Sequence, residues 1–209
     1  MTSIRARAAV ESGGWIEVPE LADAQERDRW SAAVVDAVSR AHAERFDPDA
    51  APSIQELVGA IADARADSDL LLLAFLPTRG PVAATVSVTL VEPEPVERWR
   101  EAGYALSSIR TDHLGEGMLA TRAPAEVADG RRLVGHECMF AFVDGDACVV
   151  VRVPPTAPPL FERMQPGLAE IVRSLVVEFD DGRAFVGRPI AGLPDGAADA
   201  WQIGTHDAA

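Results

Sequence analysis

The stretch Arg131-Arg132-Leu133-Val134-Gly135-His136-Glu137-Cys138-Met139-Phe140-Ala141-Phe142-Val143-Asp144-Gly145-Asp146-Ala147-Cys148-Val149-Val150-Val151-Arg152-Val153 sets two apolar runs around an Asp-Gly pair. Asp-Gly between strand-forming segments signals a hairpin, because glycine accepts the left-handed backbone that a tight turn needs. Strands are predicted over 131–142 and 147–153. A two-residue loop at Asp144-Gly145 sets Phe142 opposite Ala147, Ala141 opposite Cys148 and Cys138 opposite Val151. Both thiols then sit on opposite faces of the ribbon and cannot bridge. They read as reduced, small apolar residues.

Upstream, Leu70 to Leu76 is a continuous apolar run, the pattern of a strand covered on both faces. Pro77 to Pro81 reads as a turn. Beyond it Val82, Ala84, Val86, Val88 and Leu90 alternate with small or polar residues, as in a half-buried strand. Pro93 and Pro95 open a short helix through Val96, Trp99 and Ala102 that Gly103 ends. Asp112-His113, with Ser107 and Ser108 before it, reads as a polar loop, followed by a weaker strand over 117–122.

Two helices come earlier. Asp23 with Glu26 forms a capping box ahead of Trp30, Val34, Ala37, Val38 and Ala41, a helical stripe reaching about Arg45. Ser53 with Glu56 reads as a second capping box, opening a helix that buries Ile54, Leu57, Val58 and Ile61. Downstream, prolines 154, 155, 158 and 159 lead into a helix striped by Phe161, Met164, Leu168, Ile171, Val172 and Leu175, with Pro166 as a kink or restart. Asp181-Gly182 turns a small ribbon that reaches Val186. The class expected is α+β, a central mostly antiparallel sheet flanked by helices as an α/β/α sandwich. The expected organisation is a flexible N-terminus over 1–14, one domain over 15–187 and a loose C-terminal tail over 188–209, which Trp201 could dock.

The chain of 209 residues has nineteen arginines and neither lysine nor asparagine, and its net charge is −14. Lysine and asparagine use A/T-rich codons, so their joint absence points to a high-GC bacterial genome. Without lysine there is no Schiff base and no phosphate-loop lysine. The acidity argues against a nucleic acid or an anionic bilayer as partner, since both repel it. The first residues carry arginines without an apolar stretch behind them, and no apolar run is long enough to cross a membrane. The expected address is cytoplasmic, without membrane insertion.

Candidate chemistry is sparse. His136-Glu137-Cys138 lacks the spacing of a zinc deaminase, and alternation on a strand sends Glu137 away from its two neighbours, so no metal site is expected. Gly115-Glu116-Gly117 does not open a helix after a buried strand, so no dinucleotide fingerprint is present. No G-x-S-x-G elbow occurs, no catalytic residue is assigned and no cofactor is expected. The candidates for ligand contact are His113, His136 and Arg122. Those for partner contact are the aromatics Trp15, Trp99 and Tyr104, which fall at element ends where an amphipathic ring can rim a groove.

The Gly14-Trp15 entry, the apolar pair 70–76 and 82–91, the Asp144-Gly145 hairpin and the closing Ile171-Val172-Arg173-Ser174-Leu175 together give a layout that resembles the PsbP-like fold family. The resemblance covers the order of elements from Trp15 to Phe179. It implies an α/β/α sandwich used as a binding or adaptor module, with no catalytic residues to carry over. The leading functional expectation is a non-enzymatic protein-binding or accessory module, linked to a secretion or envelope system. The alternatives are an enzyme or small-ligand-binding protein whose site is assembled from distant residues, and a self-associating structural protein.

Overall fold

Alternating apolar rows dominate the second half of the chain, and they build one large sheet. The computed structural model describes residues 4–43, 46–77, 81–128 and 131–194. Its elements run β1 (Ile4–Arg7), β2 (Trp15–Glu17), α1 (Ala24–Ala41), a 3₁₀ turn (Pro48–Ala50), α2 (Ala51–Asp63), β3 (Asp69–Phe75), β4 (Ala84–Val91), α3 (Val96–Glu101), β5 (Ala105–Thr111), β6 (Gly115–Arg122), β7 (Ala125–Ala128), β8 (Arg131–Val134), β9 (His136–Asp144), β10 (Ala147–Thr156), α4 (Pro158–Ser174) and β11 (Val176–Phe179). Seven strands pair antiparallel in the order β2-β3-β4-β10-β9-β6-β5, and two small ribbons join β1 to β11 and β7 to β8. The fold is α+β, with helices on both faces of the sheet.

One face is the main core. Leu73, Val86, Val151, Phe140 and Leu119 come from five successive strands, and the α4 stripe of Phe161, Met164, Leu168, Ile171 and Val172 closes over them. Pro158 and Pro159 lie in the first turn of α4, where a missing N–H costs nothing, and Pro166 is carried inside the helix. The opposite face is split. Over β3, α1 and α2 cover Leu72, Ala74 and Leu76, which explains why this run is apolar throughout although its neighbours are antiparallel. Over β6, β9 and β10, α3 and the chain after Phe185 cover Met118, Ala120, Ala141, Cys148 and Val150.

Several local expectations shift. The hairpin loop is Gly145-Asp146, so Ala147 faces Asp144, Phe142 faces Val149 and Cys138 faces Val153. Gly145, at φ +64°, supplies the left-handed residue at the first loop position. Because the slip is two residues, every side chain keeps its predicted face. Both thiols are free and buried on opposite faces of the sheet. The strand predicted from Arg131 breaks at Gly135, whose Cα lies so close to Pro155 that a Cβ there would stand 3.2 Å from the ring.

Ser107 and Ser108 belong to strand β5 rather than a loop. As an edge strand β5 buries little, so its sequence carries no full alternation. Val82 precedes β4 and is 47% exposed. Asp23 caps α1, accepting from the Glu26 amide at 2.9 Å, while the Glu26 carboxylate accepts from the Ala22 amide. The second box fails: α2 starts at Ala51 behind a 3₁₀ turn capped by Asp47, and Ser53 is already helical.

Within the N-terminal stretch, residues 4–12 are joined to the C-terminal elements of the fold. Strand β1 pairs with β11, the Ala9 amide donates to Ser174 Oγ, and Glu11 and Ser12 amides donate to Glu170. Residues 188–194 run across the sheet, with the Arg188 amide donating to Val143 and the Ser108 amide to Pro194. The remaining 195–209, with Trp201, lie outside the described residues, as do 78–80 of the predicted turn. Among the described residues no helix is long and apolar enough to cross a membrane.

Candidate functional site

Three neighbouring strands each present an apolar row that ends in a charge on the α3 side of the sheet. On β6 the row is Met118, Ala120, Arg122; on β9 it is Ala141, Met139, Glu137; on β10 it is Cys148, Val150, Arg152. Register makes Arg122 the direct cross-strand partner of Glu137, while Arg152 faces Met139 one step along. Opposite charges in such cross-strand positions attract.

Glu137 is 1% exposed. Arg122 Nε donates to its Oε2 at 2.6 Å, and Arg152 Nη2 donates to its Oε1 at 3.4 Å. Arg122 also donates from Nη1 to the Ala102 carbonyl and lies over the Tyr104 ring, 4.4 Å from its centre. Burial pushes the Glu137 carboxyl upward in pKa, but hydrogen bonds from Arg122 and Tyr104 and the two guanidinium charges outweigh it, and the group titrates below its ordinary range. Burial first, then the hydrogen bond to Glu137, lifts the Tyr104 phenol to about 12. Near neutral pH this end therefore holds two guanidiniums, one carboxylate and a neutral phenol.

Alongside the cluster runs a groove of about 490 Å³. Its floor is Met118, Met139, Ala141, Cys148 and Val150, and its roof is Val96 and Trp99 of α3. Trp99 meets Tyr104 edge to face at 5.7 Å. Helix α3 follows the groove lengthwise, because its start joins the end of β4 beside Cys148 and its last turn reaches Arg122 through Ala102. Ile190 closes the far end beside Val143, and Arg100 holds that crossing segment through the Gly192 carbonyl. A volume of this size, apolar with a few convergent polar groups, matches small-molecule sites.

A larger cleft of about 650 Å³ separates the start of α1 from the end of α2. Its two arginines are spent on the fold: Arg65 donates to the Val18 and Asp69 carbonyls, and Arg27 pairs with Asp63 at 2.9 Å.

Of the residues singled out in the sequence, Arg122, Trp99 and Tyr104 converge at the groove. The other three do not. His113 is exposed in the β5–β6 turn. His136 points to the α4 face and stacks on Phe161 with ring centres 5.4 Å apart. Trp15 packs on Phe75 at 5.2 Å and against Gly167 in the main core. Glu137 and Arg152 were missed, although a signal existed, since each is the charged terminus of an otherwise apolar alternate row. Among the described residues no three of His, Cys, Asp and Glu gather at metal-ligand range. No family model, curated protein or solved structure matches the chain.

Proposed function

We propose that the chain is a non-enzymatic binding module whose working surface is the groove beneath α3, and that it takes a small, mostly apolar ligand there. The observation that carries this is the pairing of an apolar floor with a polar end built around the buried, ion-paired Glu137. Burial of an alkyl or aryl group over Met139, Ala141 and Val150 supplies the drive, at roughly 25 cal/mol per Å² of apolar surface covered. General acid–base chemistry needs a group that exchanges protons near the working pH. Glu137 stays ionised and Tyr104 stays protonated there, which favours binding over catalysis. This reading takes up the small-ligand alternative drawn from the sequence. It is compatible with an accessory role of the kind the PsbP-like resemblance implies.

Fluorescence of the neutral probe N-phenyl-naphthylamine tests it. The wild-type chain is expected to enhance probe emission saturably. Thr89→Trp, a plug at the groove wall beside Val150, is expected to abolish the enhancement while far-ultraviolet circular dichroism stays unchanged. Emission without saturation, or saturation that survives the plug, overturns the reading.

A further inference from the structure

Resting on the groove reading above, we infer that the preferred ligand is a single-chain anionic amphiphile whose carboxylate head sits on Arg152 and whose chain lies along the floor toward Cys148. The two guanidiniums at this end are not equivalent. Arg122 spends Nε on Glu137, Nη1 on the Ala102 carbonyl and its face on Tyr104. Arg152 makes one long contact of 3.4 Å to Glu137 and is 53% exposed. Most of its five N–H donors therefore remain open to a ligand, in the planar fork that suits a carboxylate. Two guanidiniums against one carboxylate also leave this end with a surplus positive charge, within a chain whose net charge is −14.

The opposite end carries the other sign. Glu92 and Glu94 line the groove there, Glu94 paired with Arg98 across 3.6 Å, and Glu94 is close enough to Cys148 to raise its thiol pKa further. An anionic head is repelled at that end and attracted at Arg152, so the charge pattern sets orientation as well as selectivity. From Arg152 to Cys148 the floor spans four residue steps of β10, about 13 Å at the rise of a strand. That length fits one chain of medium length, lying over Val150 and Ala141.

Displacement of N-phenyl-naphthylamine by decanoate and decyltrimethylammonium below their micellar concentrations, and by decanol below its solubility limit, tests the inference. Decanoate is expected to displace the probe at about tenfold lower concentration than decanol, the worth of one good charge-assisted contact. Decyltrimethylammonium is expected to be the weakest. Arg152→Gln should remove the preference for decanoate and leave decanol unchanged, and Arg152→Lys should restore most of it. Equal displacement by decanoate and decanol in the wild type, or a preference that survives Arg152→Gln, overturns the anionic assignment while groove binding stands. Absence of saturable probe binding sinks the groove reading itself.

Discussion

Arg122 and Glu137 face each other across β6 and β9, and the guanidinium grips a carboxylate that solvent does not reach. The pair, with Arg152 and Tyr104, forms the polar end of the groove. Its energetics can be separated from its role in binding, because removal of one buried partner costs more than removal of both.

Glu137→Ala is expected to destabilise the fold by about 3 kcal/mol, since it strands Arg122 against the Tyr104 ring and leaves a gap. The double variant Glu137→Leu with Arg122→Met should recover at least half of that loss. Urea unfolding followed by circular dichroism measures both. A double variant worse than the single one contradicts the assignment.

Acid should act through the same carboxylate. Its folded pKa lies below the ordinary 4.5, so its contribution is complete above that value and fades as pH falls through the lower folded value. The stability gap between wild type and Glu137→Gln should accordingly be flat at neutral pH and shrink below about pH 4.5. A gap that widens on acidification has the wrong sign.

Tyr104 is the one tyrosine in the chain, so its ultraviolet titration reads a single group. A phenol raised from 10.0 to about 12 contributes stability that is intact below pH 10 and lost as pH rises through 12. Tyrosinate absorption should appear well above the free phenol range in the native chain and return to it in urea. Arg122→Gln is expected to change the profile, since that guanidinium lies over the ring.

Both thiols should resist alkylation in the native state. Burial raises Cys138 to about 12 and Cys148 to about 11, so the reactive thiolate is scarce even where a reagent enters the groove beside Cys148. Iodoacetamide is expected to label neither thiol in buffer and both in urea. Rapid labelling of Cys148 in buffer would show that the groove floor opens.

Gly167→Ala opposes two effects of different size. Helix propensity favours alanine by about 1 kcal/mol. The added methyl, however, would sit 2.0 Å from Trp15 Nε1, and overpacking of this kind costs about 1–3 kcal/mol. The clash should win, and the tryptophan must shift. A net loss of stability with altered fluorescence is expected, and the fluorescence change should vanish in a Trp15→Phe background.

Much of the architecture was legible without coordinates. The apolar steps Val34, Val38 and Ile54, Val58, Ile61 place α1 and α2, strict alternation places β4, and the Asp144-Gly145 pair between two apolar runs places β9 and β10. Edge strand β5 escaped because it has one paired neighbour and little to bury, so Ser107 and Ser108 look like loop residues. The ribbon of β1 with β11 escaped for another reason: its partners stand at opposite ends of the chain, and nothing local to Ile4–Arg7 names Val176–Phe179.

The site divides in the same way. Arg122, Trp99 and Tyr104 are among the six residues the sequence singles out, whereas His113, His136 and Trp15, singled out beside them, lie elsewhere. From its own residues the chain determined its class, the helices, and which face each strand residue takes, because periods of 2 and 3.6 are properties of the backbone. Only tertiary structure decided that β6, β9 and β10 lie side by side in matching register, bringing Arg122, Glu137 and Arg152 to one end of one groove. Strand order is a matter of distant surfaces competing for burial, and no local pattern records which of them wins.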